Sequence, residues 1–410
     1  MLLRGLLRKF IQVGTLTVVW PDGTSTTYSQ GLAGPTATMR LHDKNIASRL
    51  FLSPELALGE GYMEGRITVE EGDIYDLLDL LGRNYKLTGA GLGTVLHTFL
   101  EGIDLLFRGI HQYNPLDRSK SNVAHHYDLS GDLYELFLDE DRQYSCAYFP
   151  TGSEDLDTAQ KEKKRHIVRK LLVEGGQSVL DIGSGWGGMG EFLAKSCNAK
   201  VYGVTLSEEQ LSYSQNRVEK AGLSRDVSFH LQDYREIRGS FDRIVSVGMF
   251  EHVGVRHYRE YFGKIHELLT EDGIALLHTI GRVGPPSTTS KWIRKYIFPG
   301  GYSPSLSEIT TAIEKSGLVT TDVEVLRLHY AKTLRHWRKR FLANREKAVA
   351  LYDEQFALMW DYYLAASEIA FHYMDHVVFQ IQITKDQAAA PLTRDYLYKK
   401  ENPHQTAIAS

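Results

Sequence analysis

The stretch SVLDIGSGWGGMGEFLA, residues 178–194, predicts a buried strand, a glycine-rich turn and the start of a helix. Val179 and Leu180 supply the apolar strand, and Asp181 follows at its end. Glycines in such a turn let the backbone approach a ligand, and unpaired N–H groups at the helix start face the same ligand. The turn predicts a nucleotide-type cofactor site, although glycines that serve only packing give the same pattern.

The residues after the turn narrow the choice of cofactor. A second predicted strand, within residues 199–207, begins too soon for a dinucleotide-binding unit. The motifs DIGSGWGG, GVTLSEEQ, QDYREI and FDRIVSVGMFEHVG then follow one another in residues 181–254. In this order they resemble the cyclopropane-fatty-acid synthase and mycolic-acid cyclopropane synthase family of S-adenosylmethionine (SAM) methyltransferases. The resemblance extends from about residue 123 to about residue 385.

Strands and helices alternate through this region, which predicts an α/β fold with a parallel, doubly wound sheet. Ligands of such sheets bind beyond the carboxyl ends of the strands. The resemblance implies, more specifically, the Rossmann-like fold of class I SAM methyltransferases. After the first strand, the predicted strands are residues 201–205, 227–231, 243–247, 274–279 and 377–384.

A chain of 410 residues is long enough for two domains. Residues 1–115 are predicted to form a smaller α+β domain, in which alternating residues 15–31 with a Pro-Asp-Gly turn indicate a β-hairpin. It resembles the N-terminal domain of bacterial cyclopropane synthases, which the shorter mycolic-acid enzymes lack. Residues 116–386 are predicted to form the catalytic domain, and residues 387–410 a polar, mobile tail.

Composition excludes several classes of protein. A net charge of −4 gives no electrostatic footprint for nucleic acid. The two cysteines, Cys146 and Cys197, cannot form a disulfide framework, so a reducing cytoplasm is expected. The sequence contains no run of 18 apolar residues that would span a membrane.

The first residues predict an amphipathic helix, with Leu3, Leu6, Leu7 and Phe10 on one face and basic residues elsewhere. Two interpretations are open, a helix docked on its own domain or a helix in transient contact with an anionic membrane. The second predicts a peripheral protein at the inner face of the cytoplasmic membrane. The family includes dimers, but the sequence does not fix whether this chain forms a homodimer.

The resemblance also implies which residues contact SAM. Many SAM methyltransferases end the second strand in an acid that binds the ribose, whereas this chain has Thr205, in agreement with the T-L-S turn of the family. An N-cap at Ser207 would explain the same turn, and residues 232–235 either border the adenine or form a surface turn. The implied cofactor-binding residues are Tyr144, Ser145, Asp181, Gly183, Gly185, Gly187, Thr205, Leu206, Gln210, Gln232, Asp233, Tyr234 and Arg235.

The chemistry that the family performs defines a second set of residues. An alkene attacks the methyl carbon with its own π electrons, and the resulting cation must lose a proton before the ring closes. Such a site must be dry and must hold one weak base, which in the family is bicarbonate. The motifs YSCAY, MFEHVG, LLHTIG and HYAKTL match its cage, and the implied catalytic residues are Cys146, Glu251, His278, Tyr330 and the backbone of Ile280. Each of these residues, taken singly, also fits a plain buried position.

Aromatic residues after Glu251 and His278 allow two interpretations, an acyl-chain channel or a plain core. Lys295, in the same segment, would then meet lipid phosphates or remain solvated. No histidine or cysteine spacing indicates a metal site. These aromatic residues are Tyr258, Tyr261, Phe262, Trp292, Tyr296, Phe298 and Tyr302.

The sequence therefore predicts a SAM-dependent enzyme that adds a methylene across the cis double bond of an unsaturated phospholipid acyl chain in the bilayer. The main alternative is a lipid C-methyltransferase that yields a methyl-branched or methylene acyl chain. Methylation of a small-molecule amine is a further alternative, against which the complete set of cage residues argues. A non-catalytic SAM- or lipid-binding protein is the alternative from another class.

Overall fold

A computed structural model describes residues 2–88 and 130–398. The helices are α1 (Leu2–Phe10), α2 (Lys44–Leu52), α3 (Pro54–Met63), α4 (Ile74–Thr88), α5 (Gly131–Glu135), α6 (Leu156–Leu171), α7 (Gly188–Cys197), α8 (Glu208–Lys220), α9 (Tyr258–Leu268), α10 (Lys291–Tyr296), α11 (Leu306–Glu314), α12 (His329–Ala343), α13 (Arg345–Leu351) and α14 (Glu354–Tyr373). The strands are β1 (Val13–Val19), β2 (Ser25–Tyr28), β3 (Leu32–Leu41), β4 (Ile67–Glu71), β5 (Ser178–Ile182), β6 (Lys200–Thr205), β7 (Val227–Leu231), β8 (Phe241–Val247), β9 (Leu269–Arg282), β10 (Val319–Val325) and β11 (His376–Thr384).

The described residues form two compact units. The first contains residues 2–88, 288–299 and 331–376, and the second contains the remaining described residues. The predicted boundary near residue 115 lies outside the described residues. The contiguous catalytic domain predicted for residues 116–386 differs from this division, because the first unit also takes in the segments 288–299 and 331–376.

The first unit contains a four-stranded sheet in the order β2-β1-β3-β4. Strands β1 and β2 pair antiparallel around the Pro-Asp-Gly turn, which confirms the predicted hairpin. Asn84 on α4 accepts hydrogen bonds from the backbone N–H groups of Gln12 (2.6 Å) and Val13 (2.9 Å), and so joins this helix to the start of β1. Leu3 and Leu7 of α1 are buried, as expected for a helix docked on its own unit.

The segment 288–299 is part of this first unit. Trp292 is buried, and a Cβ atom on Gly59 would lie 2.4 Å from its indole nitrogen. Lys295 forms an ion pair with buried Glu60 at 2.6 Å, and the hydroxyl of Tyr296 donates to the same carboxylate. Trp292 thus packs within the unit, and Lys295, whose side chain is 57% exposed, pairs with Glu60 while it remains in contact with solvent.

The second unit contains a seven-stranded sheet in the order β10-β11-β9-β8-β5-β6-β7. Strands β5 to β9 pair in parallel, as predicted. Strands β10 and β11 pair antiparallel, so the sheet is mixed and not purely parallel. The sequence pattern missed β10 because three consecutive polar residues, 320–322, interrupt the alternation that would indicate a half-buried strand at the sheet edge.

Apolar side chains cover the sheet of the second unit in two clusters. Tyr258, Tyr261, Phe262 and Tyr302 all belong to one of them, which favours the core interpretation for these four aromatic residues. The predicted polar tail also begins inside this unit, because Leu397 is buried in a short 3-10 turn. Residues 399–410 of that tail lie outside the described residues.

Candidate active site

A cavity of about 150 Å³ opens at the carboxyl ends of β5, β6 and β8 in the second unit. This is the edge at which a parallel α/β sheet binds its ligands. All of the predicted cofactor-binding residues except Gly187 line it. The lining also includes residues that the sequence analysis did not select, namely Arg142, Gln143, Ile182, Ser184, Trp186, Met189, Val204, Val247, Gly248, Met249, His252 and Val253.

The glycine-rich turn between β5 and α7 forms one wall of the cavity. Gly183 adopts a φ of 81°, and a Cβ atom there would lie 2.9 Å from Cβ of Met249. A Cβ atom on Gly187 would instead lie 2.7 Å from Cβ of Ser214 on α8. Gly183 therefore keeps the cavity wall open, whereas Gly187 lets the start of α7 pack closely on α8.

Asp181 is the penultimate residue of β5 and carries a buried carboxylate in the cavity wall. Burial raises its pKa to about 7, and its Oδ2 atom has no hydrogen-bond partner among the described residues. An unpartnered buried carboxylate oxygen is costly unless a ligand supplies a donor or a cation. The amino group and sulfonium centre of SAM fit this requirement.

The turn after β6 carries the predicted T-L-S segment. The Thr205 hydroxyl donates to Oε1 of Gln210 at 2.9 Å, and Ser207 caps α8 by accepting from the Gln210 N–H. The capping and cofactor interpretations of this turn are compatible, because Thr205 and Gln210 also line the cavity. The hydrogen bond to Thr205 uses the Gln210 carbonyl oxygen, so the amide nitrogen is the group this side chain offers to a ligand.

The segment after β7 is buried and is not a surface turn. Asp233, which is 3% exposed, accepts from Nε of Arg235 at 2.8 Å through one oxygen and from Nη2 at 2.7 Å through the other. Tyr234, between them, packs edge-on to Tyr261 with ring centroids 5.3 Å apart. The bidentate ion pair holds the segment in its 3-10 turn and keeps the tyrosine at the cavity wall.

Aromatic rings that the sequence analysis did not select pack around Trp186 in the glycine turn. Trp186 packs edge-on to Tyr134 and to Tyr213, and Tyr134 contacts Tyr144 in the same way. The Arg142 guanidinium lies 4.2 Å from the Tyr213 ring centroid. Trp186 stands inside the glycine motif and could have been chosen from it, whereas Arg142 has no sequence signal.

Three of the predicted catalytic residues meet at the carboxyl ends of β8 and β9. Glu251 follows β8, and its Oε1 atom accepts the backbone N–H of Ile280 at 2.6 Å. The carbonyl of His278, two residues before Ile280, accepts the N–H of Gly248 at 2.9 Å. The Ile280 N–H therefore orients the Glu251 carboxylate, a role that the resemblance did not imply.

Glu251 and His278 each keep one buried polar atom without a hydrogen-bond partner among the described residues. These atoms are Oε2 of Glu251 and Nε2 of His278. Burial raises the pKa of Glu251 to about 7 and holds the pKa of His278 well below its ordinary value. The amide nitrogen of Gln380 on β11 lies 3.1 Å from Nδ1 of His278, so the neutral ring carries its hydrogen on Nε2. Glu251 thus has one carboxyl oxygen, and His278 one N–H donor, for which the described residues supply no partner.

Cys146 and Tyr330, the two other predicted catalytic residues, are both buried. Their segments are neighbours, because the N–H of Phe149 donates to Nδ1 of His329 at 3.0 Å. The ring of Tyr148 stacks on the same histidine. The fold therefore brings the start of α12 beside the segment that carries Cys146, although more than 180 residues separate them in sequence.

Two kinds of feature are absent from the described residues, 2–88 and 130–398. No group of three or more His, Cys, Asp or Glu side chains there is arranged to hold a metal ion. Within the same ranges, no helix is long and apolar enough to cross a membrane.

Comparisons with known proteins agree with this geometry. The family model described as mycolic acid cyclopropane synthetase matches residues 115–381, and a domain of unknown function matches residues 3–88. The cyclopropane-fatty-acyl-phospholipid synthase of Escherichia coli (strain K12) is 38% identical over 352 residues, which are 85% of this chain and 88% of that protein. The tuberculostearic acid methyltransferase of Mycobacterium tuberculosis is 36% identical over 387 residues, 90% of this chain and 88% of that protein.

Solved structures include a mycolic acid cyclopropane synthase in complex with S-adenosylhomocysteine (SAH) and CTAB. It superposes with a TM-score of 0.62 at 34% identity and covers 66% of this chain and 99% of its own. The sheet order and the cavity at its carboxyl edge therefore define a class I SAM-dependent methyltransferase, which confirms the predicted fold. Within that class, the chain belongs to the mycolic acid cyclopropane synthetase family, and the predicted family is confirmed. The roles of the individual site residues stay predictions.

Proposed function

We propose that the protein adds a methylene to the cis double bond of an unsaturated phospholipid acyl chain, which becomes a cyclopropane. One observation carries the proposal: Glu251 Oε2 and His278 Nε2, in two of the motifs that match the family's cage, are each buried without a hydrogen-bond partner among the described residues. Met249 and His252, on either side of Glu251 in sequence, line the SAM cavity. The name and similarity of the Escherichia coli relative support the same reaction.

Bound SAM supplies an electrophilic methyl group, and a bound bicarbonate supplies the base that takes one proton of that group before the ring closes. The residues fit a bicarbonate ion. The neutral His278 ring donates from Nε2 to an anionic oxygen, and Glu251 accepts a hydroxyl proton or, in its protonated form, donates one. Both side chains are buried, so water is kept away from the cation that forms on the lipid chain.

A second candidate is a lipid C-methyltransferase that forms a methyl-branched or methylene acyl chain. It is favoured by the relatives that carry such names, the tuberculostearic acid methyltransferase and a probable fatty acid methyltransferase of Pseudomonas putida, 36% identical over 384 residues. Both reactions begin with the same bond between the methyl carbon and the alkene. Loss of a proton with ring closure gives the cyclopropane, and loss of a proton without ring closure gives a methylene or an unsaturated methyl-branched chain. A saturated methyl-branched chain requires in addition a hydride donor that reduces this alkene in a later step.

Access to such a substrate requires a membrane surface, and we propose α1 as the contacting element. Leu2 is 68% exposed, and Arg8 and Lys9 are exposed on the same helix. Basic residues beside an exposed apolar side chain suit an anionic phospholipid surface. The proposed location is cytoplasmic, in transient contact with the inner face of the cytoplasmic membrane.

The product decides between the candidates. The chain is expressed in a bacterium that lacks cyclopropane fatty acids, and its fatty acids are analysed by gas chromatography with mass spectrometry, beside Glu251→Gln as the control. A ring at the former double bond, absent from the control, supports the proposal. A methyl-branched or methylene product supports the second candidate instead. No modified lipid from a folded protein that binds SAH would overturn both.

The base and the lipid class are tested with purified protein. Turnover on vesicles of unsaturated phospholipid should fall in bicarbonate-depleted buffer and return when bicarbonate is added. Turnover that is independent of bicarbonate would remove this ion from the proposal. Equal rates on free unsaturated fatty acid would remove the preference for phospholipid.

A further inference from the structure

Lys163 is a buried cation that neither the motifs nor the predicted cage include. It lies on α6 and is 0% exposed. Its ammonium group donates to Oε1 of Gln143 at 2.7 Å and to Oγ of Ser145 at 2.8 Å. Both acceptor residues line the SAM cavity, so the lysine stands directly behind that wall.

An ammonium group has donors only, which fixes the polarity of its partners. The Gln143 oxygen and the Ser145 oxygen must both act as acceptors toward Lys163. The amide nitrogen of Gln143 and the hydroxyl hydrogen of Ser145 are consequently directed away from the lysine. The Gln143 nitrogen donates one hydrogen to the carbonyl of Asp141 at 3.5 Å, which leaves its second hydrogen for a ligand. At these two side chains, therefore, the cavity wall offers hydrogen-bond donors and not oxygen acceptors.

The backbone of the same segment is fixed from the same helix. Gln160, one turn before Lys163, donates from Nε2 to the carbonyl of Ser145 at 2.9 Å and to that of Gln143 at 3.2 Å. These carbonyl oxygens are therefore occupied and do not compete for the donors of the wall. The lysine and the glutamine together hold both side chains in one orientation.

The Gln143 amide nitrogen also lies at the start of α7. A Cβ atom on Gly188, the first residue of that helix, would be 2.4 Å from it. The N-cap residue, Gly187, provides no side-chain hydrogen bond to the helix. The Asp141 carboxylate lies here as well, because its Oδ2 atom would be 2.5 Å from the same Cβ position.

We propose that Lys163 is a positioning residue that aims the donors of Gln143 and Ser145 at the carboxylate of the methionine portion of SAM. The inference rests on the assignment of the cavity to SAM. The carboxylate is the only anionic group of SAM, and it can only accept hydrogen bonds when ionised, so it is the part that matches a donor wall. Burial lowers the pKa of Lys163 to about 8, which leaves it largely protonated at neutral pH.

Ligands with and without the carboxylate separate this role from simple packing. Isothermal titration calorimetry compares SAH with its decarboxylated analogue, S-adenosyl-3-thiopropylamine, on the wild type and on Lys163→Met. We expect the variant to bind SAH about tenfold or more weakly, because charged hydrogen bonds are lost or misdirected. Its affinity for the analogue should remain within about twofold. Equal losses for both ligands would overturn the inference.

Two further variants complete the test. Lys161→Met makes the same change at an exposed position of α6 and should bind both ligands as the wild type does. Gln143→Glu keeps an oxygen for Lys163 but replaces the donor with an acceptor, so it should weaken SAH selectively even if Lys163→Met does not fold. If Gln143→Glu changed the affinities for SAH and for the decarboxylated analogue equally, that result would also overturn the inference. A wild type that binds no SAH would instead reject the cofactor assignment itself.

Discussion

Gln380 on β11 donates from its amide nitrogen to Nδ1 of His278 on the neighbouring strand β9, across 3.1 Å. Both side chains are buried. Because an amide nitrogen can only donate, it selects the neutral imidazole tautomer with hydrogen on Nε2. Gln380 thereby determines that the unpartnered ring nitrogen of His278 is a donor.

Gln380→Glu should reverse this tautomer. A carboxylate accepts from Nδ1–H and leaves Nε2 as an acceptor, which repels the oxygen of a bound anion. We expect turnover to fall by about tenfold or more while SAH affinity changes by less than about twofold, since the cavity wall is intact. Steady-state rates with phospholipid vesicles and calorimetry with SAH measure the two effects.

The matched variant for this experiment is Gln380→Met, which removes the donor without imposing the opposite tautomer. Its turnover should lie between those of the wild type and Gln380→Glu. Full activity of Gln380→Glu would mean that the glutamine oxygen, rather than its nitrogen, faces the histidine.

Glu251→Gln should lose activity, but at alkaline pH its free energy of unfolding should exceed that of the wild type. The pKa of about 7 in the folded protein lies above the ordinary 4.5, so folding disfavours the ionised form. The wild type therefore loses stability as pH rises from about 4.5 to 7. Glutamine retains an oxygen for the Ile280 N–H and cannot ionise, so the variant should be more stable by roughly 3 kcal/mol at pH 8.

Chemical denaturation in bicarbonate-free buffer at pH 5 and pH 8 measures this effect. The difference between Glu251→Gln and the wild type should fall to less than about 1 kcal/mol at pH 5, where Glu251 is neutral in the folded protein and ionises only in the unfolded chain. The exposed Glu271→Gln variant provides the control, and we expect little change from it. A gain of the same size at both pH values would contradict an origin in ionisation.

Glu324→Gln should destabilise the second unit. Its carboxylate lies 2.5 Å from Nζ of fully buried Lys170 and 2.6 Å from Nε2 of His166. Burial by itself would raise the pKa of Glu324, but these partners outweigh it and lower the pKa to about 2. Among the described residues, removing the charge leaves Asp322, at 3.9 Å, as the carboxylate paired with Lys170, so a loss of about 2–4 kcal/mol is expected.

The sign of its pH dependence is opposite to that of Glu251. A carboxyl with a lowered pKa stabilises the fold above its ordinary pKa of 4.5, and this contribution disappears as pH falls toward 2. Denaturant midpoints of Glu324→Gln and the wild type should therefore differ most at pH 7, and the gap should shrink below pH 4.5 to about half or less at pH 3. Exposed Glu314→Gln is the control, and a gap that persists in acid would argue for lost packing instead.

Charge reversal on α1 tests the proposed membrane surface. Arg8→Glu with Lys9→Glu should abolish sedimentation with vesicles that contain anionic phospholipid, since each basic residue near such a surface contributes about 1 kcal/mol. Exposed Lys161→Glu with Lys220→Glu changes the net charge equally and should leave binding intact. Equal loss in both double variants would indicate a general charge effect, and unaltered binding would exclude α1 as the contact.

The sequence by itself determined the fold of the second unit and the wall of its cavity. Asp181 and Thr205 lie at the carboxyl ends of β5 and β6, and the glycine turn follows β5 directly. Each of them belongs to a motif of residues that are close together in sequence. Local patterns suffice here because parallel strands place their carboxyl ends at one edge, so residues in separate motifs converge without further information.

Only the tertiary structure decided how the polar groups behind this wall are partnered. Lys163 and Gln380 carry no motif, since a lysine on a helix and a glutamine on a strand usually face solvent. Their roles depend on contacts with Ser145 and His278, the second of which lies 102 residues away in sequence. The same holds for segments 288–299 and 331–376, whose membership in the first unit is set by long-range packing. Sequence periodicity reports which face of an element is buried, but not which distant side chain it meets there.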